Sequence, residues 1–305
     1  MRDRVVASAD VPAASAVQVA ARAPTRSVPR AGRRWRLGLP LAYVALAVLA
    51  VFCILPFGWL VAASIDPNAG LYLAIPTAPT IENFVRLFTE ADSLRLLVNS
   101  MIMSGGAVVL LVVVCTLGGY ALSRFGFRGR RALMFGILLT RVIPATATIA
   151  PLYSICLRLG LIDSYLGLIL VLAAQQVPFT LWMMKGFFDT VPVELEEAAW
   201  IDGAGRVQSA FRVVLPLAGP GVAAAGLFAF IAAWGEFLTP LVLISSPELW
   251  PISIGLFRAW VAYTQVDWGL LAAISVVYML PAIFFYLVVR RVLLRATVVG
   301  ALAGT

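Results

Sequence analysis

Residues 192–220 read Pro-Val-Glu-Leu-Glu-Glu-Ala-Ala-Trp-Ile-Asp-Gly-Ala-Gly-Arg-Val-Gln-Ser-Ala-Phe-Arg-Val-Val-Leu-Pro-Leu-Ala-Gly-Pro. Four acids crowd into nine residues of this stretch: Glu194, Glu196, Glu197 and Asp202. Pro192 suits the start of a short helix, and acids in a first turn favour the positive end of its dipole. Gly203 and Gly205 are expected to end that helix. Acids and glycines alone are typical of a solvated loop, so the role of this stretch has to be inferred from the sequence on either side of it.

The rest of the chain has the composition of an integral membrane protein. Of its 305 residues, 62% are apolar and only 12% are charged, whereas soluble proteins are nearer half apolar and a quarter charged. The length allows roughly six to eight spans at about 20 residues each plus loops. A net charge of +8 could indicate nucleic-acid binding, but the basic residues cluster at the ends of apolar segments, where topology signals lie. We therefore expect a lipid bilayer around the chain and no nucleic-acid partner.

Six apolar segments predict an all-α integral membrane protein with six transmembrane helices. They cover approximately residues 37–64, 94–122, 132–157, 165–188, 213–244 and 270–289. Pro144 and Pro151 are expected to kink the third segment. The fifth is longer than one span needs, so part of it is expected to be interfacial or tilted.

The predicted organisation has four parts. Residues 1–36 form a disordered basic cytoplasmic tail, and 37–93 hold the first transmembrane helix and an external loop. Residues 94–295 form a five-helix core that contains the 192–220 loop, and 296–305 form a cytoplasmic C-terminal tail. Within the external loop, Thr80 to Phe84 predicts the start of a short amphipathic helix, with Phe84, Leu87 and Phe88 on one face.

Basic residues predict the orientation of the spans. The first 36 residues hold eight arginines, and further arginines follow the second and sixth segments: Arg124, Arg128, Arg130, Arg131, Arg290, Arg291 and Arg295. By the positive-inside rule these regions and both termini are cytoplasmic. The third and fourth segments lie between the arginine-rich turn after the second segment and the 192–220 loop. Because two crossings return the chain to the same side, this loop is expected to be cytoplasmic as well.

Six side chains of the predicted spans are candidates for a substrate pathway, because polar groups inside a membrane have a function by default. They are Asn99, Arg141, Gln175, Gln176, Trp234 and Glu236. A charge at a helix centre costs about 2.5–3.5 kcal/mol, so Arg141 and Glu236 must face a partner, a polar cavity or the headgroups. A structural ion pair or a snorkelling side chain is one interpretation, and a polar translocation path is the other.

No catalytic set is visible in the sequence. The chain has no histidine, which removes Ser-His-Asp chemistry and the commonest metal ligand. It also lacks a Gly-x-x-x-x-Gly-Lys-Ser/Thr phosphate loop. If the protein moves a solute uphill, the energy must come from a partner or from an ion gradient, so we expect no enzyme, metal or cofactor on this chain.

The 192–220 stretch resembles the EAA loop of ABC importer permeases. The matching residues are Glu197-Ala198-Ala199, Asp202-Gly203-Ala204, Phe211, Leu215-Pro216-Leu217 and Pro220, with Tyr120-Ala121-Leu122-Ser123-Arg124-Phe125 and Trp234-Gly235-Glu236-Phe237-Leu238 elsewhere. The resemblance covers about residues 38–295 and is greatest to the carbohydrate-importer branch, the maltose-type, MalG-like permeases. Two departures are Gly235, where that branch commonly carries Asn, and Trp200, at a position that is usually polar or basic.

The resemblance implies the type I ABC importer permease fold and a role as one permease subunit of an ATP-driven importer for a sugar or related polyol. It implies a second homologous permease, an ATPase dimer that binds ATP and Mg, and an extracytoplasmic solute-binding protein, in the cytoplasmic (inner) membrane of a prokaryote. The loop would be a helix that docks on the ATPase through Glu197, Ala198, Ala199, Asp202, Gly203 and Ala204.

Two alternatives remain open on the sequence. One is an ABC permease for a non-sugar solute. The other is a self-contained secondary transporter driven by protons or sodium, with Glu236 or Arg141 as the coupling charge. Inverted repeats would support the second, and no convincing internal repeat is visible.

Overall fold

The computed structural model describes residues 35–72, 74–89, 92–261 and 266–303. Apart from the start of the first helix, the predicted N-terminal tail lies outside these residues. The chain divides into two compact units, Met1–Cys53 and Ile54–Thr305. The described part of the first unit is helical throughout, and in the described part of the second every regular element is also a helix.

The described ranges contain thirteen α-helices. They are α1 (Trp35–Ser64), α2 (Glu82–Thr89), α3 (Ser93–Arg124), α4 (Arg130–Leu139), α5 (Ala145–Arg158), α6 (Tyr165–Asp189), α7 (Val193–Ile201), α8 (Arg206–Ser209), α9 (Leu215–Leu217), α10 (Gly219–Trp234), α11 (Leu238–Leu243), α12 (Ile252–Val261) and α13 (Trp268–Ala303). Two 3₁₀ turns, Thr140–Val142 and Pro247–Leu249, and a π-helical segment, Ala210–Val214, complete the regular structure.

Four of these helices, α1, α3, α6 and α13, are long and apolar enough to cross a membrane alone, and two bent pairs raise the possible number to six. Arg130–Val142 and Ala145–Arg158 meet at 102°, and Arg206–Leu217 and Gly219–Trp234 meet at 72°. The first bend falls at Pro144, because a proline disfavours helical backbone in the residue before it, and Ile143 is extended (φ −74°, ψ 123°). The predicted kink at Pro144 is therefore confirmed, whereas α5 continues through Pro151.

Helices α3 and α6 run parallel and in register. At one end the Tyr165 hydroxyl donates to Asn99 Oδ1 at 2.7 Å, and at the other the Ser123 hydroxyl donates to Asp189 Oδ1, also at 2.7 Å. Both pairs are 66 residues apart in sequence. Since two parallel helices begin at the same face, the chain between them must return across the membrane. The bent pair α4–α5 is therefore one crossing rather than a re-entrant loop.

Helix α10 runs in the opposite direction to α6. The ring of Phe228 lies 6.0 Å from that of Phe179, and Gly221, earlier in α10, lies against Phe187, later in α6. The same reversal relates α10 to α13, through the stacked pairs Trp234–Tyr278 and Phe230–Phe285. The second bent pair is thus also one crossing, and together with α1 the chain makes the six crossings that hydropathy predicts.

The α3–α6 interface is the most extensive helix contact in the described chain. Small residues permit the close approach, as is common between helices in lipid. A Cβ on Gly119 would lie 2.9 Å from Met184 Cβ and 3.1 Å from the Lys185 backbone nitrogen. Fully buried Cys115, Met184 and Phe188 fill the space around this contact.

The external helix α2 forms as predicted but buries a different face. Leu87 is fully buried and Phe84 half-buried, whereas Phe88 is exposed, so the prediction of a shared face is wrong for Phe88. The physical reason is Asn83, whose amide donates to the carbonyls of Ser64 (3.2 Å) and Asp66 (3.1 Å). Asn83 and Leu87, one turn apart, therefore face inward, and Phe88 is turned about 100° away.

Asp163 fastens the loop before α6 to the segment after α11. Its carboxylate accepts from the backbone nitrogens of Ser245 (3.0 Å) and Ser246 (2.9 Å) and from the Ser246 hydroxyl. The Ser246 hydrogen bonds are the main reason that the pKa of Asp163 lies below its ordinary value of 3.8. Asp163 has a left-handed backbone, with φ 56°.

Gly119→Ala is expected to destabilise the protein by about 1–3 kcal/mol, the usual cost of overpacking, because the new methyl group meets backbone that cannot move away cheaply. Thermal unfolding in detergent measures the effect. Gly136→Ala is the matched control, since nothing lies within 4 Å of a Cβ at that helical glycine. Equal midpoints for the two variants would contradict the close α3–α6 contact.

Asp163→Asn is expected to remove a pH-dependent part of the stability. Because the folded-state pKa is lowered, the ionised carboxylate stabilises the fold fully above about 3.8, and this stabilisation is lost as the pH falls through the folded-state value. Asparagine tolerates the left-handed backbone. The difference in unfolding midpoint between the wild type and this variant should be constant near neutral pH and shrink below pH 4; a difference independent of pH would refute the assignment.

Candidate functional site

The acidic stretch forms helix α7 between two chain turns. Pro192 caps its start with φ −55° and ψ 135°, and two acids lie in the first turn. At the other end Gly203 adopts φ +88°, a conformation that favours glycine. The backbone nitrogens of Gly203 and Ala204 donate to the carbonyls of Trp200 (3.0 Å) and Ala199 (2.9 Å), the two hydrogen bonds of a Schellman motif.

The predicted coupling residues lie on or beside the exposed side of this loop. Glu197, Ala198, Asp202 and Gly203 are exposed, and Ala199 and Ala204 are partly buried. Ile201 adds a large apolar side chain that is 87% exposed. The loop therefore presents acids, small residues and one apolar group at its surface.

The buried acid of α7 is Glu196, which the sequence analysis did not single out. Its side chain is 1% exposed. Arg124 Nε lies 2.9 Å from Glu196 Oε2, and the Tyr120 hydroxyl donates to Oε1. Tyr120 and Arg124 are four residues apart on α3, so both reach α7 from one helix face. That spacing was visible in the sequence, but nothing local indicated which glutamate it would meet.

Arg124 and Trp200 extend this contact in two directions. Arg124 Nη2 donates to the Val191 carbonyl at 2.9 Å, in the linker that precedes α7. Trp200 Nε1 donates to Ser209 Oγ at 2.8 Å, and Ser209 lies 3.4 Å from Glu196. The Arg206 guanidinium lies 5.0 Å from the Trp200 ring centroid. The unusual tryptophan thus packs on α8 within the loop.

A second group of candidates lies about half-way along α6. Gln175 is ten residues after the start of α6 and fourteen before its end, so it lies about 15 Å and 21 Å from those ends. Two breaks in the helices reach this level: the 3₁₀ turn that holds Arg141, and residues 235–237, between α10 and α11, which hold Glu236.

Four of the six pathway candidates meet at these breaks. Arg141 Nη2 donates to Gln176 Oε1 at 3.3 Å. On the other side, Gln175 Nε2 donates to Thr239 Oγ1 at 3.1 Å, and Glu236 Oε1 accepts from the Thr239 nitrogen and hydroxyl, each at 3.0 Å. Of the two adjacent glutamines of α6, Gln176 therefore bonds to the positive group and Gln175 is linked through Thr239 to the negative one. We call Arg141, Gln175, Gln176, Glu236 and Thr239 the mid-membrane polar cluster.

Arg141 and Glu236 make no ion pair with each other or with another residue in the part of the chain that the structure describes. Arg141 is exposed and lies 6.0 Å from the Phe179 ring centroid. Glu236 is partly exposed. The interpretation of these charges as a structural ion pair is therefore not supported. The described part of the chain contains no group of three His, Cys, Asp or Glu side chains that could hold a metal ion.

Asn99 and Trp234 lie outside the polar cluster. Asn99 is 2% exposed; its amide donates to the carbonyls of Glu248 (2.8 Å) and Trp250 (2.9 Å) and accepts from Tyr165. Trp234 is stacked between aromatic rings, and its Nε1 donates to the Tyr278 carbonyl at 3.0 Å. Each polar side-chain group has a protein partner, so both residues hold neighbouring segments in place.

Known proteins resemble the chain along most of its length. Residues 115–298 match the family model "Binding-protein-dependent transport system inner membrane component". The sulfoquinovosyl glycerol transport system permease protein SmoH of Agrobacterium fabrum is 31% identical over 273 residues, which cover 88% of this chain and 95% of the relative. The maltodextrin transport system permease protein MdxG of Bacillus subtilis is 34% identical over 80% of this chain and 90% of its own length.

A solved structure agrees with these relatives. It is a crystal structure of a bacterial ABC transporter involved in the import of the acidic polysaccharide alginate, with a TM-score of 0.74 and 25% identity, covering 86% of this chain and 99% of that one. The six crossings predicted from hydropathy have the fold of an ABC importer permease. The chain therefore belongs to the family of binding-protein-dependent transport system inner membrane components, the membrane permeases of ABC importers.

Proposed function

We propose that this chain is one permease subunit of an ATP-driven importer for a sugar or related polyol. It pairs with a second, homologous permease, and an ATPase dimer that binds ATP and Mg supplies the energy; this chain needs no cofactor of its own. An extracytoplasmic binding protein delivers the solute. The observation that carries this proposal is helix α7, which Glu196 fixes to the end of α3 and which exposes Glu197 and Ala198 on its other side.

Helix α7 has the properties of a docking element for the ATPase. Ala198 and Ala199 allow a partner backbone to approach closely, and the exposed Glu197 and Asp202 can pair with basic groups. Ile201 is almost wholly exposed, and burying this apolar side chain against a partner would be favourable. A helix that presents small residues, acids and one apolar side chain can lie in a groove of a partner, where each of these groups finds a contact.

We assign the α7 end of the molecule to the cytoplasm of a prokaryote. The chain then lies in the inner membrane with both termini inside. Arg124 contacts Glu196 at 2.9 Å, so the arginine-rich turn after α3 lies at the α7 end of the molecule. Arg128 and Arg131 are exposed there. Under the positive-inside rule this end faces the cytoplasm.

The mid-membrane polar cluster suits a hydroxyl-rich solute. It offers amide, hydroxyl, carboxylate and guanidinium groups, and Phe179 and Phe228 stand beside it. Binding sites for small molecules commonly orient the ligand with a few polar groups among apolar side chains. The relatives named for sulfoquinovosyl glycerol and maltodextrin support a glycoside as the cargo. Family membership argues against a self-contained, ion-driven transporter.

Glu197→Lys reverses a charge that contacts the ATPase in the proposed complex. We therefore expect that the ATPase no longer co-purifies with the permease. Gly203→Ala should weaken co-purification as well, because a side chain is strained at φ +88° and the loop must turn differently. Affinity purification of the assembled complex from membranes measures both effects.

The controls are Glu248→Lys, an exposed glutamate at the opposite end of the molecule, and Gly205→Ala, where φ is −70° and a Cβ meets nothing within 4 Å. Unchanged membrane insertion in all four variants shows that the chain still folds. Normal ATPase recovery with Glu197→Lys would refute the docking assignment.

Glu236→Gln is expected to lower solute uptake roughly tenfold or more while assembly with the ATPase is retained, because hydrogen bonds to a charged group contribute about 1.5–3 kcal/mol. Uptake into proteoliposomes is measured with whichever saccharide the wild-type complex transports fastest among maltodextrins and sulfoquinovosyl glycerol. Ser275→Ala is the control, since the Ser275 hydroxyl donates only to its own helix at Leu271. Equal uptake by both variants would remove Glu236 from the pathway.

A further inference from the structure

Two adjacent glutamates of α7 face different surroundings. Glu196 is 1% exposed and contacts α3, whereas Glu197 is exposed. Neighbouring residues on a helix point about 100° apart, so one short helix can hold two partners at once. We propose that Glu196 is a positioning residue that locks α7 to α3, so that movement of the docked loop is passed to α3 as a rigid unit. This inference rests on the proposed function of α7.

The contacts of Glu196 link three segments that are distant in sequence. Oε2 pairs with Arg124 of α3, and Oε1 accepts from Tyr120, one turn earlier on the same helix. Arg124 simultaneously holds the Val191 carbonyl at 2.9 Å. Both the start of α7 and its first turn are thus fixed to the end of α3. Behind the carboxylate, Ser209 lies 3.4 Å away and is held by Trp200.

Burial makes this link stiff. The side chains of Glu196 and Arg124 are 1% and 9% exposed, so water screens the pair little. Separating them would leave a charge without a partner in a poorly solvated place, which is strongly unfavourable. Under a load applied through α7, the buried pair resists separation more than an exposed pair would.

The covalent connection alone gives a looser link. Helix α7 joins α6 through residues 190–192, and Gly203 follows it, so both ends of α7 can bend. The Glu196 contacts add a second, non-covalent attachment to another helix. Helix α3 extends from this point to Asn99 and Ser100, which bind the external segment at Glu248, Trp250 and Ile252. Movement that reaches α3 therefore reaches both faces of the membrane.

The test uses the full complex with its ATPase and second permease. Spin labels are placed at Glu194→Cys on α7 and Val109→Cys on α3, two exposed sites, after the native cysteines are replaced. Distance distributions are recorded without nucleotide and after trapping with ATP and vanadate. In the otherwise unchanged chain we expect one narrow distribution that does not shift on trapping. With Glu196→Gln we expect the same distribution without nucleotide and a broadened or shifted one after trapping.

Lys185→Gln is the matched control. Lys185 pairs with Asp189 on the same helix at the same end of the membrane, so its loss removes an ion pair without separating two helices, and the distribution should remain narrow. Tyr120→Phe keeps the ion pair and removes one hydrogen bond; it should give a smaller broadening, and it serves as the test if Glu196→Gln does not fold.

Three outcomes would overturn the inference. A distribution that stays narrow after trapping in Glu196→Gln and in Tyr120→Phe would show that the contact transmits nothing. A distance distribution of Glu196→Gln that is already broad without nucleotide would show that Glu196 only stabilises the resting structure. Loss of the ATPase from Glu196→Gln, with normal folding, would mean that both glutamates serve docking. Failure of the unlabelled wild type to retain an ATPase would instead overturn the proposed function, and the inference with it.

Discussion

The parallel register of α3 and α6 is the constraint on which the rest of the molecule depends. Helices in lipid lack the hydrophobic force that joins them in water, so small residues and polar pairs set their alignment. Here Gly119 permits the close approach, and hydrogen bonds at Asn99 and Ser123 fix the two ends. With this pair aligned, the intervening chain has to cross the membrane, and α6 has to deliver its glutamines to the membrane centre and its last residues to the α7 loop.

The mid-membrane polar cluster arises where helices are interrupted. A broken helix frees backbone groups, which is tolerated inside a bilayer only where protein or a polar cavity can satisfy them. Glu236 shows this directly, because its carboxylate accepts from the Thr239 backbone nitrogen at the start of α11. Arg141 occupies the corresponding interruption before Pro144. Glu236 therefore satisfies a backbone group that the break leaves free, and Arg141 bonds to the side chain of Gln176 beside the other break. A charged side chain at that depth in an uninterrupted helix facing lipid would be strongly unfavourable.

Local patterns predicted what depends on local physics. Hydropathy gave the six crossings, Pro144 marked a bend, and the turn at Gly203 followed from its residue type. The rest depends on partners far along the chain. Which of Glu196 and Glu197 is buried is decided by Arg124, 72 residues away from Glu196, and Asn99 is held by Trp250, 151 residues away. The buried face of α2 likewise follows from the carbonyls that Asn83 meets, and no periodicity in the sequence records them.

Helix α3 is 32 residues long and ends in side-chain anchors at both faces of the molecule. Such a helix is about 48 Å long, so a tilt of about 5° pivoted at one end displaces the other by about 4 Å. If α3 tilts as a rigid rod, the displacement of each end depends on where the helix pivots. The tight Gly119 contact lies close to the α7 end, which would make the arm on the external side the longer one. A small displacement at the loop would then be magnified at the opposite face.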